Sequence, residues 1–145
     1  MNPWIKAEYE RLRRNNWRAV DALRAARVKD RFEDLQNERL VRFRFEPECD
    51  MYEFGEGEEP FREEITERIN REGYWIVCTD YLNAETEEWE QAEAIGGFIG
   101  DDWQDSGYDV DLRLAAIEAH ETCVEQAAQR EADALESRAT FACVV

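Results

Sequence analysis

The side chains best suited to catalysis in this sequence are a cysteine and a histidine three positions apart, Cys123 and His120. Residues three apart lie on one face of a helix, so the imidazole could act as the base for a thiol nucleophile. The flanking residues provide neither a group to orient the imidazole nor an anion hole, and we expect His120 on the solvated flank of its helix. Ser106 and Ser137 stand in no G-x-S-x-G elbow. The sequence therefore predicts no catalytic residue and no enzymatic activity.

Metal binding is the next chemistry that the residue types allow, and the cysteines are poorly spaced for it. Cys49, Cys78, Cys123 and Cys143 form no close pair, whereas a structural zinc site normally uses two close ligand pairs. We therefore expect free, reduced thiols, as in a cytoplasmic protein.

The aspartate-rich segment 101–111 can be tested against calcium-binding loops. If Gly107 takes the sixth position of such a loop, Asp102 takes the first and Arg113 the twelfth, where a bidentate glutamate is required. A cation at that position fails the pattern. No glycine-rich phosphate loop occurs elsewhere, and the sequence predicts no metal and no cofactor.

The charge is large and unevenly distributed. The chain has 145 residues and a formal net charge of −17. Residues 1–45 hold 12 basic and 7 acidic residues, whereas residues 46–111 hold 22 acidic residues and only three arginines. Negative charge disfavours direct binding to nucleic acid or to an anionic membrane, and no apolar run approaches the length of a membrane span.

These residues are carried by a predicted single domain, residues 1–145, of the α+β class: a small antiparallel sheet of about three strands packed with long N- and C-terminal helices and one short helix. A basic helical segment, 1–38, forms either one helix or two helices separated at Asn15–Asn16. An acidic sheet and loop segment covers residues 39–109, and a C-terminal helix covers residues 110–139.

The first strand is predicted by strict alternation over residues 40–46. Val41, Phe43 and Phe45 fall on one face, whereas Arg42 and Arg44 fall on the other. The second face is therefore either solvated or in contact with a partner.

The rest of the acidic segment is predicted as loop 46–60, a short helix over 61–71, a strand over 74–81 and a hairpin partner strand over 89–99. Gly73 is expected to end the short helix, and a bulge is expected at Gly96–Gly97. Alternation places four residues of the last strand on one face: Trp89, Gln91, Glu93 and Ile95.

The C-terminal helix is predicted to start at a capping box formed by Ser106 and Asp109. An apolar stripe then runs along it through Val110, Leu114, Ile117, Val124, Ala128, Ala132 and Leu135. Glu121 falls inside this stripe. It either lies at the stripe's edge, pairs with an arginine of the first helical segment, or marks where a partner docks.

The acidic residues themselves are the strongest functional signal. B-DNA presents about 20 phosphates over roughly 34 Å, and a domain of this length is roughly 35–40 Å across. The 22 carboxylates of residues 46–111 match one turn of DNA in number and span. Acidic and aromatic side chains together suit arginine-rich partners, and we predict a partner-binding surface made of Glu56, Glu58, Glu59, Glu85, Glu87, Glu88, Asp101, Asp102, Trp103, Asp105, Asp109 and Asp111.

Three stretches, Gly73–Val77, Ile95–Asp102 and Ser106–Asp111, resemble small acidic accessory proteins carried by bacteriophages and plasmids. The resemblance implies a mobile genetic element and an inhibitor of host defence, such as an anti-restriction or anti-CRISPR protein. The basic first helix departs from a pure DNA mimic. This helix either neutralises acidic residues of the same fold, forms a second contact surface or forms a dimer interface.

The leading hypothesis is a non-enzymatic cytoplasmic inhibitor that presents these carboxylates to a basic nucleic-acid-binding complex of a bacterial host. The alternative is a structural or regulatory module that forms homodimers or binds a partner through Trp4, Trp17, Val20 and Leu23.

Overall fold

Residues 2–144 fold into four α-helices and one three-stranded antiparallel sheet. The computed structural model describes residues 2–144, with side chains as far as residue 140, so the Cys143 side chain lies outside the described part. In chain order the elements are α1 (Pro3–Arg14), α2 (Ala19–Asn37), β1 (Val41–Pro47), a 3-10 turn (Glu59–Phe61), α3 (Arg62–Glu72), β2 (Tyr74–Leu82), β3 (Trp89–Ile99) and α4 (Tyr108–Val144). The predicted α+β class and the order of elements are confirmed.

The first helical segment is divided at the two asparagines, which confirms the two-helix alternative. Asn16 adopts a φ of 67°, a left-handed conformation that asparagine tolerates better than most residues. The N–H of Trp17 then donates to the carbonyl of Leu12 at 3.1 Å. This turn lets α2 fold back and pack against α1.

The sheet has the order β1–β2–β3, so β1 and β3 are its edges. Trp75 pairs with Phe98, but Val77 pairs with Ile95, which leaves two residues of β3 opposite one residue of β2. The expected bulge at the two glycines is confirmed.

A second bulge overturns the expected alternation along β3. Thr79 pairs with Glu93 and Asp80 pairs with Gln91, so Ala92 is an extra residue. Because one extra residue reverses the direction of the side chains that precede it, Trp89 and Gln91 lie on the face opposite to Ile95.

The core lies between the sheet and the helices α2 and α4. These helices pack against the face that carries Val41 and Val77, where the Thr79 hydroxyl donates to the carbonyl of Leu112 at 2.8 Å. Fully buried side chains such as Phe32 and Leu112 each stabilise the fold by roughly 1.5–3 kcal/mol. The opposite face of the sheet carries Arg42, Arg44, Cys78 and Asp80.

Helix α4 is longer than predicted, and only its first half is packed. Val110 and Ile117 are buried, whereas Val124 is 45% and Leu135 56% exposed. Every side chain over residues 128–140 is exposed. The predicted apolar stripe is therefore a core contact only as far as Ile117.

Candidate partner-binding surface

Most of the acidic segment gathers at one end of the sheet. β1 ends there, β2 begins there and β3 ends there, because neighbouring strands are antiparallel. The chain connections at this end are residues 48–73 and the loop that starts at Gly100. We call the carboxylates of residues 48–72 and 101–102 the acidic end: Glu48, Asp50, Glu53, Glu56, Glu58, Glu59, Glu63, Glu64, Glu67, Glu72, Asp101 and Asp102.

The arginines of this region are occupied by internal contacts. Arg62 pairs with Glu59 at 2.5 Å and lies over the ring of Phe54, 4.0 Å from its centroid. Because Arg62 donates hydrogen bonds to it, the pKa of the Glu59 carboxyl is lowered from its ordinary value.

Arg68 joins α3 to the loop after β3. Its guanidinium donates two hydrogen bonds to Asp102, at 2.7 and 2.5 Å, and one to Glu72 at 2.6 Å. Arg71 lies 3.6 Å from the same Glu72 carboxylate. Arg68 therefore fixes the loop after β3 against α3, and the three arginines together leave many of the surrounding carboxylates without a cation within the described residues.

Aromatic side chains hold the loop of residues 48–58 against the sheet. The ring of Tyr52 lies 5.6 Å from that of Tyr74 and 5.0 Å from that of Phe54. The Tyr52 hydroxyl donates to Glu58 at 2.5 Å, and the backbone N–H of Gly55 donates to the same carboxylate. The hydrogen bond to Glu58 raises the pKa of Tyr52 to about 12 and lowers that of Glu58.

Seven carboxylates of the acidic end are exposed and have neither an ion pair nor a side-chain hydrogen bond within the described residues. They belong to the loop, to the exposed face of α3 and to the start of the last loop: Asp50, Glu53, Glu56, Glu63, Glu64, Glu67 and Asp101. The α3 members were missing from the predicted set. Their spacing of one and three positions on a short helix is the signal that could have added them.

The predicted partner-binding residues do not all lie at this end. Glu85, Glu87 and Glu88 occupy the turn between β2 and β3, at the other end of the nine-residue strand β2. At about 3.3 Å per residue this places them roughly 26 Å away. Glu85 is also paired with Arg130 of α4. The structure thus divides the predicted surface into separate parts.

Two predicted surface residues are buried, and the expectation that they contact a partner is wrong. Trp103 is 7% exposed because its ring fills the core beneath β1, 4.8 Å from the ring of Phe43. Asp109 is 4% exposed because its carboxylate accepts from the N–H groups of Asp105 and Gly107 and from Arg113. Residue type alone did not predict that these two side chains are buried, whereas other acidic and aromatic side chains are exposed.

The capping box at the start of α4 is present in altered form. The Ser106 hydroxyl accepts from the N–H of Tyr108 at 3.2 Å. The Asp109 carboxylate accepts from the N–H groups of Asp105 and Gly107, on either side of Ser106.

Two further predicted surface residues, Asp105 and Asp111, lie near this helix start. Asp105 accepts two hydrogen bonds of 2.7 Å from Arg11, which lower its carboxyl pKa. Asp111 is exposed in the first turn of α4.

Part of the basic segment neutralises acids of the same fold. Besides Arg11, Lys29 pairs with Glu8 at 3.3 Å, and Arg31 lies 3.9 Å from Glu121. The last contact supports the interpretation that Glu121 pairs with an arginine of the first helical segment. Five exposed arginines of residues 1–38 form no ion pair within the described residues: Arg13, Arg14, Arg18, Arg24 and Arg27.

His120 and Cys123 are not joined by a hydrogen bond. The prediction that His120 is solvated is wrong: it is 8% exposed, and its Nδ1 has no hydrogen-bond partner among the described residues. Burial, together with the nearby charge of Arg31, lowers its pKa. Cys123 accepts from the N–H of Ala84 at 3.3 Å and lines a cleft of about 510 Å³ with Tyr81 and other residues.

A charged cluster on the open face of the sheet was not predicted. The Asp80 side chain is 3% exposed and accepts from Arg42 at 2.9 Å and from Arg44 at 3.0 Å. Burial alone would raise the pKa of Asp80, but the two arginines outweigh it and lower that pKa. The Arg42 guanidinium also lies over the ring of Trp89, 4.2 Å from its centroid. Alternation had already placed both arginines on one face, but the carboxylate comes from a strand more than thirty positions away.

Within the described residues no group of three or more His, Cys, Asp or Glu side chains is arranged to hold a metal ion. None of the described helices combines the length and the apolar character needed to cross a bilayer. Comparison of the chain with protein-family models, with curated proteins and with solved structures gives no match.

Proposed function

We propose that the protein is a non-enzymatic interaction protein of a mobile genetic element, which acts in the bacterial cytoplasm. Its acidic end occupies a basic, nucleic-acid-binding groove of a host complex and inhibits that complex. The observation that carries the proposal is the group of seven exposed, unpaired carboxylates on segments fixed by arginine and tyrosine contacts.

Fixed carboxylates suit this role better than mobile ones. A partner that binds a preordered surface loses less conformational entropy on binding. The mutual repulsion of crowded carboxylates is relieved when a cationic groove approaches. Association driven in this way is fast and is weakened by salt.

The test compares the two ends of the sheet. In one variant Glu64 and Glu67 are changed to lysine, and in the matched control Glu87 and Glu88, at the opposite end, are changed to lysine. Neither set takes part in an ion pair or a side-chain hydrogen bond within the described residues.

Each tagged protein is used to capture binding partners from nuclease-treated bacterial lysate, and its ability to displace labelled duplex DNA from the captured complex is then measured. We expect the wild-type chain and the control to recover a DNA-binding complex that elutes with salt, and the α3 variant to recover none. Equal recovery and equal DNA displacement by both variants would contradict the proposal.

A second candidate function is an oligomerisation module that uses the first helices. Trp4 and Val20 are each 79% exposed, which favours it, whereas Trp17 packs against the core. Val20→Glu should then abolish concentration-dependent association in light scattering and leave the capture of a DNA-binding complex unchanged.

A further inference from the structure

Within the described residues, the outer row of backbone groups of the edge strand β1 has no hydrogen-bond partner. Leu82 donates to the carbonyl of Leu40, and Glu48 donates to the carbonyl of Tyr74, both at 2.9 Å. Backbone groups alternate in direction along a strand, so even-numbered residues of β1 face β2. The N–H and C=O groups of Phe43 and Phe45 therefore point away from the sheet.

Side chains do not protect this edge. Phe45 is 47% exposed, although its ring lies 5.7 Å from that of Trp103. Proteins usually block a free edge with a bulge, a proline or charged side chains. The ladder between β1 and β2 is regular throughout, and Pro47 stands only at the last position of the strand. The charged side chains Arg42 and Arg44 bond to Asp80 of the neighbouring strand β2.

We propose that β1 pairs with β1 of a second copy of this chain, antiparallel and around a two-fold axis at Arg44. The two sheets then form one continuous sheet of six strands. In this register Phe43 lies opposite Phe45 of the second copy, and their outward N–H and C=O groups bond to each other. Val41 lies opposite Pro47 of the second copy, whose carbonyl accepts the N–H of Val41.

The charges of the strand are self-complementary in the same register. Arg42 lies opposite Glu46 of the second copy. Only the Nε of Arg42 is used within the described residues, to Asp80, so its two terminal amino groups are free to donate. Glu46 is 51% exposed, and opposite charges across a strand pair stabilise it.

Arg44 lies opposite its own copy at the axis, a contact between like charges that would oppose pairing. Each Arg44 is neutralised within its own chain, because it donates to Asp80 at 3.0 and 3.3 Å and to Gln91 at 2.8 Å and pairs with Glu46. A shift of one residue would place Arg42 opposite Phe45 or Pro47 and lose the charge pairing. A shift of two residues, to an axis at Phe45, would place Arg44 opposite Glu46. The charge reversals described below distinguish these registers, because only the register at Arg44 pairs residue 42 with residue 46.

The test uses two charge reversals, Arg42→Glu and Glu46→Arg, each studied alone and as an equimolar mixture by sedimentation equilibrium. Each variant alone places like charges opposite each other twice, and we expect its self-association to weaken roughly tenfold or more. In the mixture the reversed side chains meet with opposite charges, so the two variants should form a heterodimer with nearly wild-type affinity.

Circular dichroism and thermal unfolding of each variant show whether the fold is intact, which matters because Arg42 also contacts Asp80. The matched control is Glu93→Arg on the other edge strand, β3, and it should leave association unchanged. A wild-type chain that remains monomeric at its solubility limit, or folded variants whose mixture does not associate, would overturn the proposal. Loss of the dimer through Val20→Glu with no effect of the β1 variants would also overturn it.

The effect of salt on association distinguishes the proposed β1 dimer from partner binding by the acidic end. Two chains of charge −17 repel each other, so added salt should strengthen the dimer, whereas it weakens binding of a basic partner. Failure of one proposal therefore leaves the other intact.

Discussion

At the scale of single residues, Asp80 shows how a carboxylate can be buried on a sheet face that α2 and α4 leave open. Its cover is formed by two side chains of the neighbouring strand: Arg42, which lies directly opposite it, and Arg44, two residues further along. Without these partners, burial of the ionised carboxylate would cost hydration free energy that no hydrogen bond or ion pair offsets. Asp80 therefore stabilises the strand pair and also orients Arg42 for the proposed dimer contact.

Replacing Asp80 with asparagine should destabilise the fold by about 1–3 kcal/mol. Breaking a buried pair costs more than this, but the two arginines are 43% and 31% exposed, and solvent screens part of the loss. Urea unfolding measures the change, with Asp101→Asn as an exposed control expected to change stability by less than about 0.5 kcal/mol. Equal stability of the two variants would refute the role of Asp80.

Trp103→Ala should cost about 3–5 kcal/mol, as for other large aromatic side chains removed from a core. The ring contacts Phe43 and Phe45 and belongs to the cluster with Val77 and Leu112. Thermal unfolding followed by circular dichroism measures the loss. A variant of wild-type stability with impaired partner capture would instead restore the original assignment of Trp103 to the binding surface.

His120 should make the fold less stable as the pH falls below its ordinary pKa of 6.5. Its pKa is lower in the folded chain because of burial and Arg31, while Glu38 and Glu121 act in the opposite direction. Between the two pKa values the unfolded chain binds more protons, and stability decreases as the pH falls. His120→Gln should reduce the difference in unfolding free energy between pH 7.5 and 5.5, and an unchanged difference would contradict this.

The sequence shows that the acidic residues are concentrated in one segment of the chain. It does not show which of these residues form ion pairs in the folded protein. Asp102 and Asp105 lie in the same acidic loop as Asp101, yet each of the two forms an ion pair in the fold. These partners come from α3 and from α1, and in the case of Asp105 the arginine is separated by more than ninety positions. Long-range pairs of this kind cannot be read from local pattern.

At the scale of elements, local signals predicted where helices and strands begin and end, because those signals act within a few residues. Gly73 ends α3 with a φ of 89°, and the two glycines of β3 form the expected bulge. The second bulge, at Ala92, has no glycine and no local signal. It depends on the pairing of β3 with β2, and it is why the face of Trp89 was assigned wrongly.

Helix α4 should divide into a stable and a labile half in hydrogen exchange. Residues 110–123 pack against α2 and the sheet, whereas every side chain over residues 128–140 is exposed. A helix of this length without tertiary contacts is marginal in water. Amides of residues 130–140 should exchange much faster than those of residues 112–120. Equal protection would show that the exposed half is covered by a partner chain.

At the scale of the whole molecule, the negative charge should limit stability in dilute buffer. Within the part of the chain that the structure describes, most of the 35 carboxylates form no ion pair, and their repulsion is screened over about 8 Å at physiological salt. Screening also weakens the exposed ion pairs, but each of these pairs contributes little to the free energy of unfolding. The melting temperature should therefore rise between low salt and roughly 0.3 M sodium chloride, and a fall would show that the ion pairs dominate.

The exposed half of α4 also affects how the molecule moves through water. The ten helical residues 131–140, which follow the contact of Arg130 with Glu85, extend the fold by about 15 Å while adding little mass, so viscous drag increases out of proportion to mass. A monomer of 17.1 kDa will elute from a gel-filtration column earlier than a compact sphere of that mass. Its elution volume can therefore be mistaken for that of a dimer. Only a direct measurement of mass distinguishes one elongated copy from two.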